Sequence, residues 1–234
     1  MLRIFVEPEL LAAGELVVRG DEHHYLAHVR RARPGDAVEL VDGAGRRAAA
    51  TIARLADRET VLVAAAPEAI AAAPPFVRAL VPLIKGDRMD SCLEKLVEVG
   101  VDAIVVWPAA RSVARLDDAR RDARLAKYRA IAQAAARQSG RAQVPDVSIA
   151  DNLVAALAAL PEGLRLVLDP TSDAALDATG ATDVTIVSGP EGGLAPDEHD
   201  RLAGFVPVGL GPRVLRAETA PMVAVALIRA ATRS

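Results

Sequence analysis

Ser188–Leu194 has the sequence SGPEGGL, and Leu210–Ala220 has the sequence LGPRVLRAETA. Each stretch follows a short apolar run typical of a buried strand, and each leads into proline and acidic residues that favour the start of a helix. In an open α/β sheet, ligands bind beyond the carboxyl ends of the strands, where glycines let backbone amides approach a ligand closely. The two stretches therefore predict binding loops at one edge of a parallel sheet.

A third turn, Leu168–Thr171, also follows an apolar run, and three such loops at one sheet edge favour a small-molecule pocket. The loops match neither the dinucleotide-binding fingerprint nor the phosphate-binding loop, because three spaced glycines and a Gly-Lys-Ser/Thr ending are both missing. Two alternative interpretations remain at this point: tight turns that bind no ligand, and an α/β enzyme that binds ATP or NAD. The second stretch also carries two arginines and Glu218, which supply cations for a phosphate and a carboxylate that can accept a proton.

Outside these loops, residues 73–234 alternate between apolar runs and helical patterns, which predicts an α/β domain with a parallel sheet. The predicted strands are Val77–Ile84, Ala103–Trp107, Leu164–Leu168, Val184–Ser188 and Phe205–Leu210. Met89–Val97 places apolar residues on one helix face, and Gly100 predicts the end of that helix. A second helix is predicted at Asp117–Ser139, and a third begins near Glu218–Pro221.

The stretch Pro67–Pro75 contains three prolines among small residues and predicts a linker, because it breaks both helix and strand periodicity. Before it, short apolar or alternating runs are separated by turn signals, which predicts a small β-rich barrel or sandwich over residues 1–72. The runs are Arg3–Val6, Glu15–Arg19, Ala37–Leu40, Ala48–Ile52 and Val61–Ala65. We therefore expect two domains.

The composition of the 234 residues, 52% hydrophobic and 25% charged, excludes a disordered chain. The net charge of −3 gives no overall sign of a nucleic-acid partner, but it averages over one strongly basic stretch. From Arg111 to Arg141 there are nine basic and three acidic residues, a surplus of six charges that can neutralise phosphates. The alternative interpretation of this basic stretch is a solvated helix face on which oppositely charged side chains pair one turn apart. Arg30, Arg31 and Arg33 form a second, smaller basic group.

Cys92 is the single cysteine, so no intrachain disulfide forms, and no cluster of Cys and His has the spacing of a metal site. His23, His24 and His28 come closest, and without acids or cysteines at matching spacing they predict a solvated or RNA-facing edge. No apolar run approaches the roughly 18 residues of a membrane span, and acidic residues close to Met1 argue against a signal peptide. We therefore expect a cytoplasmic protein with neither a membrane nor a metal as partner.

The two opening stretches, together with segments upstream in the same order, resemble the RsmE family of 16S ribosomal RNA methyltransferases in the SPOUT superfamily. The upstream segments are Val29–Arg31, Pro34–Asp36, Lys85–Asp90, Glu94–Val101, Arg111–Ser112 and Gln138–Pro145. The resemblance covers nearly the whole chain and implies a PUA-like β-barrel for RNA at residues 1–72. For residues 73–234 it implies a SPOUT-type α/β domain whose C-terminal trefoil knot, about residues 164–234, binds S-adenosylmethionine. It also implies a homodimer that methylates N3 of a uridine in the 16S RNA of the small ribosomal subunit.

The resemblance implies roles for particular residues as well. Cofactor contacts, mostly through backbone groups, are expected at Leu168, Gly189, Gly192, Gly193, Leu210, Gly211, Val214 and Leu215. The basic groups and the resemblance together predict RNA contacts at Arg30, Arg31, Lys85, Arg88, Arg111, Arg120, Arg124, Lys127 and Arg141. The chain departs from the family pattern at Tyr25, Arg30, Arg137 and Ala217. The first three departures lie in the expected RNA-facing regions, and Ala217 lacks a hydroxyl and is given no catalytic role.

Two catalytic residues are predicted. The imide N3 of uracil is a poor nucleophile while it is protonated, so Glu218, or a water held by it, is the candidate base. Arg216 stabilises negative charge that develops on the uracil oxygens or holds a neighbouring phosphate. The alternative for this pair is a salt bridge between Arg216 and Glu218 that only shapes the turn, while Glu191 is expected to cap nearby amides. A non-catalytic RNA-binding assembly factor and a related methyltransferase of another base also stay open.

Overall fold

The computed structural model describes residues 2–71, 73–113 and 118–232 and places the chain in two units. The first unit comprises Met1–Ala72 and Ala136–Val144, and the second comprises Ala73–Ala135 and Pro145–Ser234. The chain thus passes from the first unit to the second after residue 72. Residues 136–144 return to the first unit, although the sequence places them in the second domain.

The first unit is built on one sheet. Its strands are β1 (Leu2–Phe5), β2 (Gly14–Arg19), β3 (Ala37–Val41), β4 (Arg46–Leu55), β5 (Glu59–Ala64) and β6 (Glu68–Ala69). Within the described residues the strand order is β1-β3-β4-β5-β2, with β6 paired to β4. β1 runs parallel to β3, and the remaining pairs are antiparallel. Each of the five runs predicted upstream of the linker overlaps a strand.

One face of this sheet forms a hydrophobic core. Along β4, Ala48, Ala50 and Ile52 are buried while the residues between them are exposed, as expected for a strand with one face in the core. Between β2 and β3, helix α1 (Gly20–His24) continues into a π-helical turn at Tyr25–Val29. Leu26 from this turn is fully buried in the same core, so the turn packs against the sheet.

The proline-rich stretch between the units is not irregular throughout. Glu68 and Ala69 pair with Arg47 and Arg46 of β4, and the amide of Ile70 donates a hydrogen bond to the carbonyl of Gly45 at 2.7 Å. The prediction that this stretch contains no strand is therefore wrong at β6. A strand of two residues carries no alternation of apolar and polar side chains, so the sequence offers no pattern that predicts it.

The second unit contains a parallel sheet, as predicted. Its strands are β7 (Phe76–Pro82), β8 (Ala103–Trp107), β9 (Asp146–Ile149), β10 (Leu164–Leu168), β11 (Asp183–Val187) and β12 (Val206–Val208). Within the described residues the order is β12-β10-β11-β7-β8-β9, and every pair is parallel. The five predicted strands are confirmed, with β12 shorter than Phe205–Leu210. The sixth strand, β9, lies at the sheet edge, and its short DVSI sequence carries too little apolar pattern to predict it.

The helices of this unit connect the strands. They are α2 (Asp87–Val99), α3 (Arg121–Ser139, whose last residues belong to the first unit), α4 (Leu153–Ala158), α5 (Pro196–Arg201) and α6 (Ala220–Ala231). Gly100 ends α2 in the left-handed conformation at φ +107°, which confirms the predicted stop. A 3-10 turn at Asp118–Arg120 precedes α3, so this helix begins later than predicted, and the predicted start at Asp117 lies outside the described residues. Pro221 lies in the first turn of α6, as predicted.

The sheet of the second unit is buried between helices. Leu80, Trp107 and Val187 from three of its strands are fully buried in a core with Leu194, Leu202 and Phe205 from the following loops and helix. In the part of the chain that the structure describes, we find no helix that is both long and apolar enough to span a membrane. The same residues contain no group of three or more His, Cys, Asp or Glu side chains placed to hold a metal ion.

Candidate active site

Three loops meet at the carboxyl edge of the sheet in the second unit. β10 pairs with β11 and with β12, and the registers Val167↔Val187 and Leu168↔Val208 bring the ends of the three strands side by side. Because all three strands are parallel, the turns that follow them lie at one edge. The sequence spacing alone places these turns about twenty residues apart, and the strand order makes them neighbours.

The three loops line a cavity of about 540 Å³, which we call the glycine-loop cavity. Of the eight residues predicted to contact a cofactor, seven line it: Leu168, Gly189, Gly193, Leu210, Gly211, Val214 and Leu215. The remaining one, Gly192, lies in the same loop but not in the wall. The cavity is also lined by Asp169, Ser188 and Arg213, which lie in the predicted loops but are not among the eight residues, and by His199, which the sequence does not single out.

The loop from Gly189 to Leu194 is fixed by Arg111. The guanidinium of Arg111 donates hydrogen bonds to the carbonyls of Gly192 at 3.2 Å and Leu194 at 3.1 Å. A Cβ on Gly192 would lie 3.1 Å from the Cβ of Arg111, and one on Gly189 would lie 3.2 Å from Leu194 Cγ. An alanine at either position would therefore force the neighbouring side chain to shift by a few tenths of an ångström. Arg111, predicted as an RNA contact, is placed here as the side chain that holds the loop.

Glu198 fastens this loop from the other side. Its side chain is buried, and one carboxylate oxygen accepts a hydrogen bond from the amide of Ala110 at 2.7 Å. The other oxygen accepts from the amide of Ala195 at 2.8 Å, immediately before α5. A buried carboxylate is stable only when its charge is met by such donors. Glu198 therefore joins the chain beyond β8 to the start of α5.

The loop after β12 makes the tightest backbone contact of the cavity region. The amide of Gly209 donates to the carbonyl of Ala174 at 2.8 Å, and the Ser172 hydroxyl donates to the carbonyl of Pro207 at 3.0 Å. A Cβ on Gly209 would lie 2.2 Å from the carbonyl oxygen of Ser172, a distance that no side chain tolerates. The sequence does not predict Gly209 as a site residue, because a lone glycine before Leu210 carries no signal of the chain that passes beside it.

Asp169 supplies a carboxylate to the wall of the glycine-loop cavity. The side-chain hydroxyl of Thr171 donates to Oδ1 of Asp169 at 2.7 Å, and the amide of Thr171 donates to the same atom at 2.8 Å. These two hydrogen bonds lower the pKa of Asp169, with the hydroxyl as the larger cause. The carboxylate therefore stays ionised at neutral pH and presents a negative charge to a bound ligand.

The two predicted catalytic residues are placed differently. Arg216 is exposed and lines the glycine-loop cavity, as do Ala217, which is buried, and Ala220. Glu218 does not line the cavity, and its side chain lies 17% exposed against the first turn of α2. Among the described residues no ion pair joins Arg216 to Glu218, so the alternative of a salt bridge between them is wrong.

The partner of Glu218 is Arg88. Nη1 of Arg88 lies 3.9 Å from Oε2 of Glu218 and 2.8 Å from Oε1 of Glu191. Glu191, which was expected to cap amides, thus shares a cation with Glu218. Arg88, predicted as an RNA contact, is placed between two carboxylates.

Within the described residues, Oε2 of Glu218 is buried and has no hydrogen-bond partner. Leaving a buried acceptor unsatisfied costs about 1–3 kcal/mol, so each such atom calls for an explanation, and a functional role is one. Cys92 lies close to it, and burial together with the negative charge of Glu218 raises the pKa of this thiol to about 12. The thiol therefore stays neutral, and the carboxylate oxygen is the group in this place that is available to accept a proton.

The remaining predicted RNA contacts fall into separate places. Lys85, Arg124 and Lys127 line one further cavity of the second unit. Arg120 lies exposed in the 3-10 turn before α3, and Arg141 is half-buried in the segment that joins the first unit. Arg115, counted in the basic stretch, lies outside the described residues.

In the first unit, Arg30 and Arg31 are exposed at the end of the π-helical turn. The guanidinium of Arg30 lies 6.0 Å from the centre of the Tyr25 ring, and Arg31 adopts a positive φ of 50°. Arg137 forms an ion pair with Glu22 and lies 5.2 Å from the centre of the Phe5 ring. Three of the departures from the family pattern, Tyr25, Arg30 and Arg137, therefore make contacts with other residues of the first unit.

Comparison with known proteins agrees with this architecture. A family model described as an RNA methyltransferase domain matches residues 73–229, and one described as an RNA methyltransferase PUA domain matches residues 18–64. The chain is 36% identical over 237 residues to the ribosomal RNA small subunit methyltransferase E of Mycobacterium tuberculosis, covering 91% of this chain and 85% of that protein. It is 30% identical over 245 residues to the protein of the same name from Bacillus subtilis, covering 97% and 96%.

Two solved structures are similar over nearly the full length. One is a ribosomal RNA small subunit methyltransferase E from Neisseria gonorrhoeae bound to S-adenosyl methionine, with a TM-score of 0.83, 29% identity and coverage of 99% and 98%. The other is a methyltransferase from Legionella pneumophila with bound SAM, with a TM-score of 0.82, 26% identity and coverage of 98% and 97%. The fold and the matches together define an α/β RNA methyltransferase domain with a PUA-like domain before it. The chain belongs to the ribosomal RNA small subunit methyltransferase E family, which confirms the resemblance seen in its sequence.

Proposed function

We propose that this protein transfers a methyl group from S-adenosylmethionine to N3 of a uridine in the 16S RNA of the small ribosomal subunit. The observation that carries the proposal is a buried carboxylate oxygen without a hydrogen-bond partner, Oε2 of Glu218, on the residue that follows Ala217 in the wall of the glycine-loop cavity. The family assignment supplies the class of reaction, and we propose this oxygen as the proton acceptor.

The glycine-loop cavity fits S-adenosylmethionine. Its volume of about 540 Å³ lies in the range of small-molecule sites, and much of its wall is apolar, with Leu194, Val208 and Leu210 among the lining residues. Glycines in the wall leave backbone amides and carbonyls accessible to a ligand. The Asp169 carboxylate suits a ligand that carries positive charge. We therefore propose that the seven predicted residues in the wall, with Asp169 and Ser188, hold the cofactor, and that Gly192 shapes the loop that carries two of them.

When bound, S-adenosylmethionine supplies an electrophilic methyl group on a sulfonium that leaves as a neutral thioether. In the proposed reaction, Glu218 accepts the proton of uracil N3, so that the nitrogen lone pair becomes available for bond formation. Arg88 orients the Glu218 carboxylate through their contact. Arg216, exposed at the cavity wall, stabilises the negative charge that develops on the uracil oxygens.

Most of the rate gain comes from holding the reactants together. Well-oriented reacting pairs gain roughly 7–11 kcal/mol from proximity alone, which requires both the cofactor and the base to be fixed. The target uridine must therefore be unpaired or flipped out of its helix. We propose that the exposed Arg30 and Arg31 of the first unit, with the basic residues of the second, bind the RNA around it.

Finer features of the architecture are part of the proposal. We propose that the first unit closes as a barrel and that residues 164–234 form a trefoil knot, supported by the close contacts of Gly209 with the loop at Ser172–Ala174. We also propose a cytoplasmic homodimer. Val214 is 82% exposed at the rim of the glycine-loop cavity, and a second copy of the chain would cover it. Sedimentation of the protein as a monomer at micromolar concentration would contradict the dimer.

The decisive experiment is incubation of the full chain with labelled S-adenosylmethionine and under-methylated small ribosomal subunits, followed by mapping of the modified nucleotide. We expect a single labelled uridine, methylated at N3. Protein-free 16S RNA serves as a parallel substrate and distinguishes recognition of RNA from recognition of the assembled particle. Label on another base, or RNA binding without any transfer, would refute the proposal.

A further inference from the structure

A second cavity opens just beyond the carboxyl end of β7, and we call it the β7 cavity. It has a volume of about 410 Å³ and is formed entirely within the second unit. Three of its described lining residues are cations, Lys85, Arg124 and Lys127, and one is a carboxylate, Asp90. The side chain of Tyr128, which is buried, forms part of the floor.

The charges of the β7 cavity do not balance. Asp90 is engaged by Lys127, whose Nζ lies 2.5 Å from Oδ2. Arg124 lies close enough to Tyr128 for its charge to act on the phenol, whose pKa is raised overall by burial. Lys85 is exposed and, within the described residues, makes no hydrogen bond and no ion pair. A concave surface with a surplus of positive charge attracts an anion, and the volume exceeds that of a simple ion.

The β7 cavity is the direct neighbour of the glycine-loop cavity. β7 and β11 are adjacent parallel strands, and the amide of Ser188 donates a hydrogen bond to the carbonyl of Leu80 at 3.1 Å. Adjacent strands lie about 4.8 Å apart, so the two cavities open at neighbouring positions along one sheet edge. Helix α2 begins directly after Gly86 in the wall of the β7 cavity and carries Arg88, the partner of Glu218.

We infer that the β7 cavity receives a phosphate-bearing nucleotide of the substrate RNA, adjacent to the target uridine, and that Lys85 pairs with its phosphodiester. This inference rests on the proposed function, since it takes the target base to lie beside Glu218. A phosphodiester accompanies every nucleotide of an RNA that reaches this edge, and cations recognise it without regard to sequence. Asp90 pairs with Lys127, and Lys85 is the lining cation that we assign to the anion.

The test compares Lys85→Gln with Lys95→Gln in the full chain. Both variants remove one lysine charge, but Lys95 lies on α2 outside the cavity and pairs with Glu94 at 2.9 Å and Glu98 at 2.8 Å. The measurement is the dissociation constant of a 16S RNA fragment that contains the methylated site, taken over a series of salt concentrations. The slope of log K against log salt changes by about 0.7–0.9 for each phosphate that the protein no longer neutralises.

We expect Lys85→Gln to weaken RNA binding several-fold, to reduce the salt slope by about 0.7–0.9 and to raise KM for the RNA with little change in kcat. Lys95→Gln is expected to match the wild type in all these quantities. Affinity for S-adenosylmethionine, measured by calorimetry, stays at the wild-type value in Lys85→Gln, which shows that the site is folded.

An unchanged salt slope and KM in Lys85→Gln, with a wild type that methylates the RNA, would overturn the inference and leave the proposed function standing. Failure of the wild type to methylate any RNA would instead remove the proposed function and, with it, the target beside which the cavity is placed. Uridine 5′-monophosphate is added as a competitor to distinguish a free nucleotide from RNA. Competition by this nucleotide with no change in the RNA salt slope would also overturn the inference.

Discussion

The glycine-loop cavity and the β7 cavity open at the same sheet edge but are built in different ways. The first is enclosed by loops that follow three strands, and its wall is mostly glycine, proline and apolar residues, with Arg111, Arg213 and Arg216 as its arginines. The second is enclosed by the chain after β7, the first turn of α2 and helix α3, and three of its eight described lining residues are cations. A ligand held by backbone groups depends on where the chain runs, whereas a ligand held by charge depends on which side chains reach it.

This difference makes the two cavities separable by mutation. Changes to loop geometry should affect the affinity for S-adenosylmethionine and leave RNA binding intact. Changes to the cationic side chains of the β7 cavity should weaken RNA binding and leave the affinity for S-adenosylmethionine intact. Glu218 and Arg88 line neither cavity, so a change at Glu218 should affect the rate of transfer and neither affinity.

The largest effect is expected for Glu218→Gln. Loss of a general base slows proton transfer typically by 10²–10⁴-fold, so kcat should fall by at least about a hundredfold. Single-turnover methylation of small subunits measures the rate, and calorimetry shows whether S-adenosylmethionine still binds with nearly wild-type affinity. Glu191→Gln is the matched control, because it removes a second carboxylate from the same Arg88 and should have a much smaller effect. Unchanged turnover in Glu218→Gln would remove this residue from the mechanism.

The next effect is expected for Gly209→Ala. The added Cβ would meet the carbonyl oxygen of Ser172 at 2.2 Å, so the loop must move away from the wall of the glycine-loop cavity. We expect at least about a tenfold loss of affinity for S-adenosylmethionine and a destabilisation of about 1–3 kcal/mol, as for other overpacked sites. Calorimetry and chemical unfolding measure the two quantities.

Gly204→Ala provides the control for this variant. A Cβ on Gly204 meets nothing within 4 Å and the residue has no positive φ, so its stability should stay within about 0.5 kcal/mol of the wild type. Equal cofactor affinity in the two alanine variants would show that the contact with Ser172 does not shape the cavity.

A smaller effect, confined to RNA, is expected from reversing the charges at Arg120, Arg124 and Lys127 to Glu. Binding of the 16S RNA fragment should weaken by about tenfold or more, and its salt dependence should flatten, because fewer counterions are released. Affinity for S-adenosylmethionine should not change. Arg201→Glu, an exposed arginine on α5 outside both cavities, gives the effect of one reversed charge elsewhere. An unaltered salt slope in the triple variant would return α3 to the solvated-face interpretation.

The smallest effect is expected for Thr171→Val, which should change how the affinity for S-adenosylmethionine depends on pH. Hydrogen bonds from Thr171 lower the pKa of Asp169, so its negative charge is present above the ordinary value of 3.8 and is lost only as the pH falls below it. Without the hydroxyl, that pKa rises and the charge is lost at a higher pH. We therefore expect at most a roughly twofold weaker affinity for S-adenosylmethionine near pH 3.8 and no difference near pH 7.5, as measured by calorimetry at both pH values.

The chain contains a matched control for this pH effect. Asp177 accepts a hydrogen bond from the amide of Thr179 at 2.9 Å, and the Thr179 side chain lowers its pKa in the same way. Asp177 does not line the glycine-loop cavity. Thr179→Val should therefore leave cofactor affinity unchanged at both pH values, and an equal loss in both variants would show a general acid sensitivity of the fold.

The sequence predicts those elements whose pattern is local. The strands at Ala103–Trp107 and Leu164–Leu168 are predicted with the bounds that the structure has, because buried strands are apolar runs, and the run is unbroken in the first strand and interrupted at Arg165 in the second. The helix ending at Gly100 is predicted because the residue after a helix favours the left-handed conformation that glycine adopts freely. β6 and β9 escape prediction, since β6 has only two residues and the two apolar residues of β9 are too few to show a period.

In the candidate site, too, the features with a local sequence pattern are predicted and the others are not. The loops of the glycine-loop cavity are predicted because glycines and prolines after apolar runs mark backbone that turns at the end of a strand. Gly209 escapes prediction because its constraint comes from Ser172, a residue of another loop. Arg88 and Arg111 are predicted as RNA contacts from their charge and the family resemblance, whereas the structure gives them partners at Glu191 and at the carbonyls of the glycine loop.

The sequence by itself therefore determined the two-part organisation, the parallel sheet and the loops at its edge, because each depends on neighbours along the chain. Only the tertiary structure decided that residues 136–144 belong with the first unit, that Glu218 faces Arg88 rather than Arg216, and that Lys85 shares a cavity with two cations of the basic stretch. Charge and hydrophobicity are properties of single residues and short runs. Which residues contact each other depends instead on their distance in space, and strand order and helix packing set that distance.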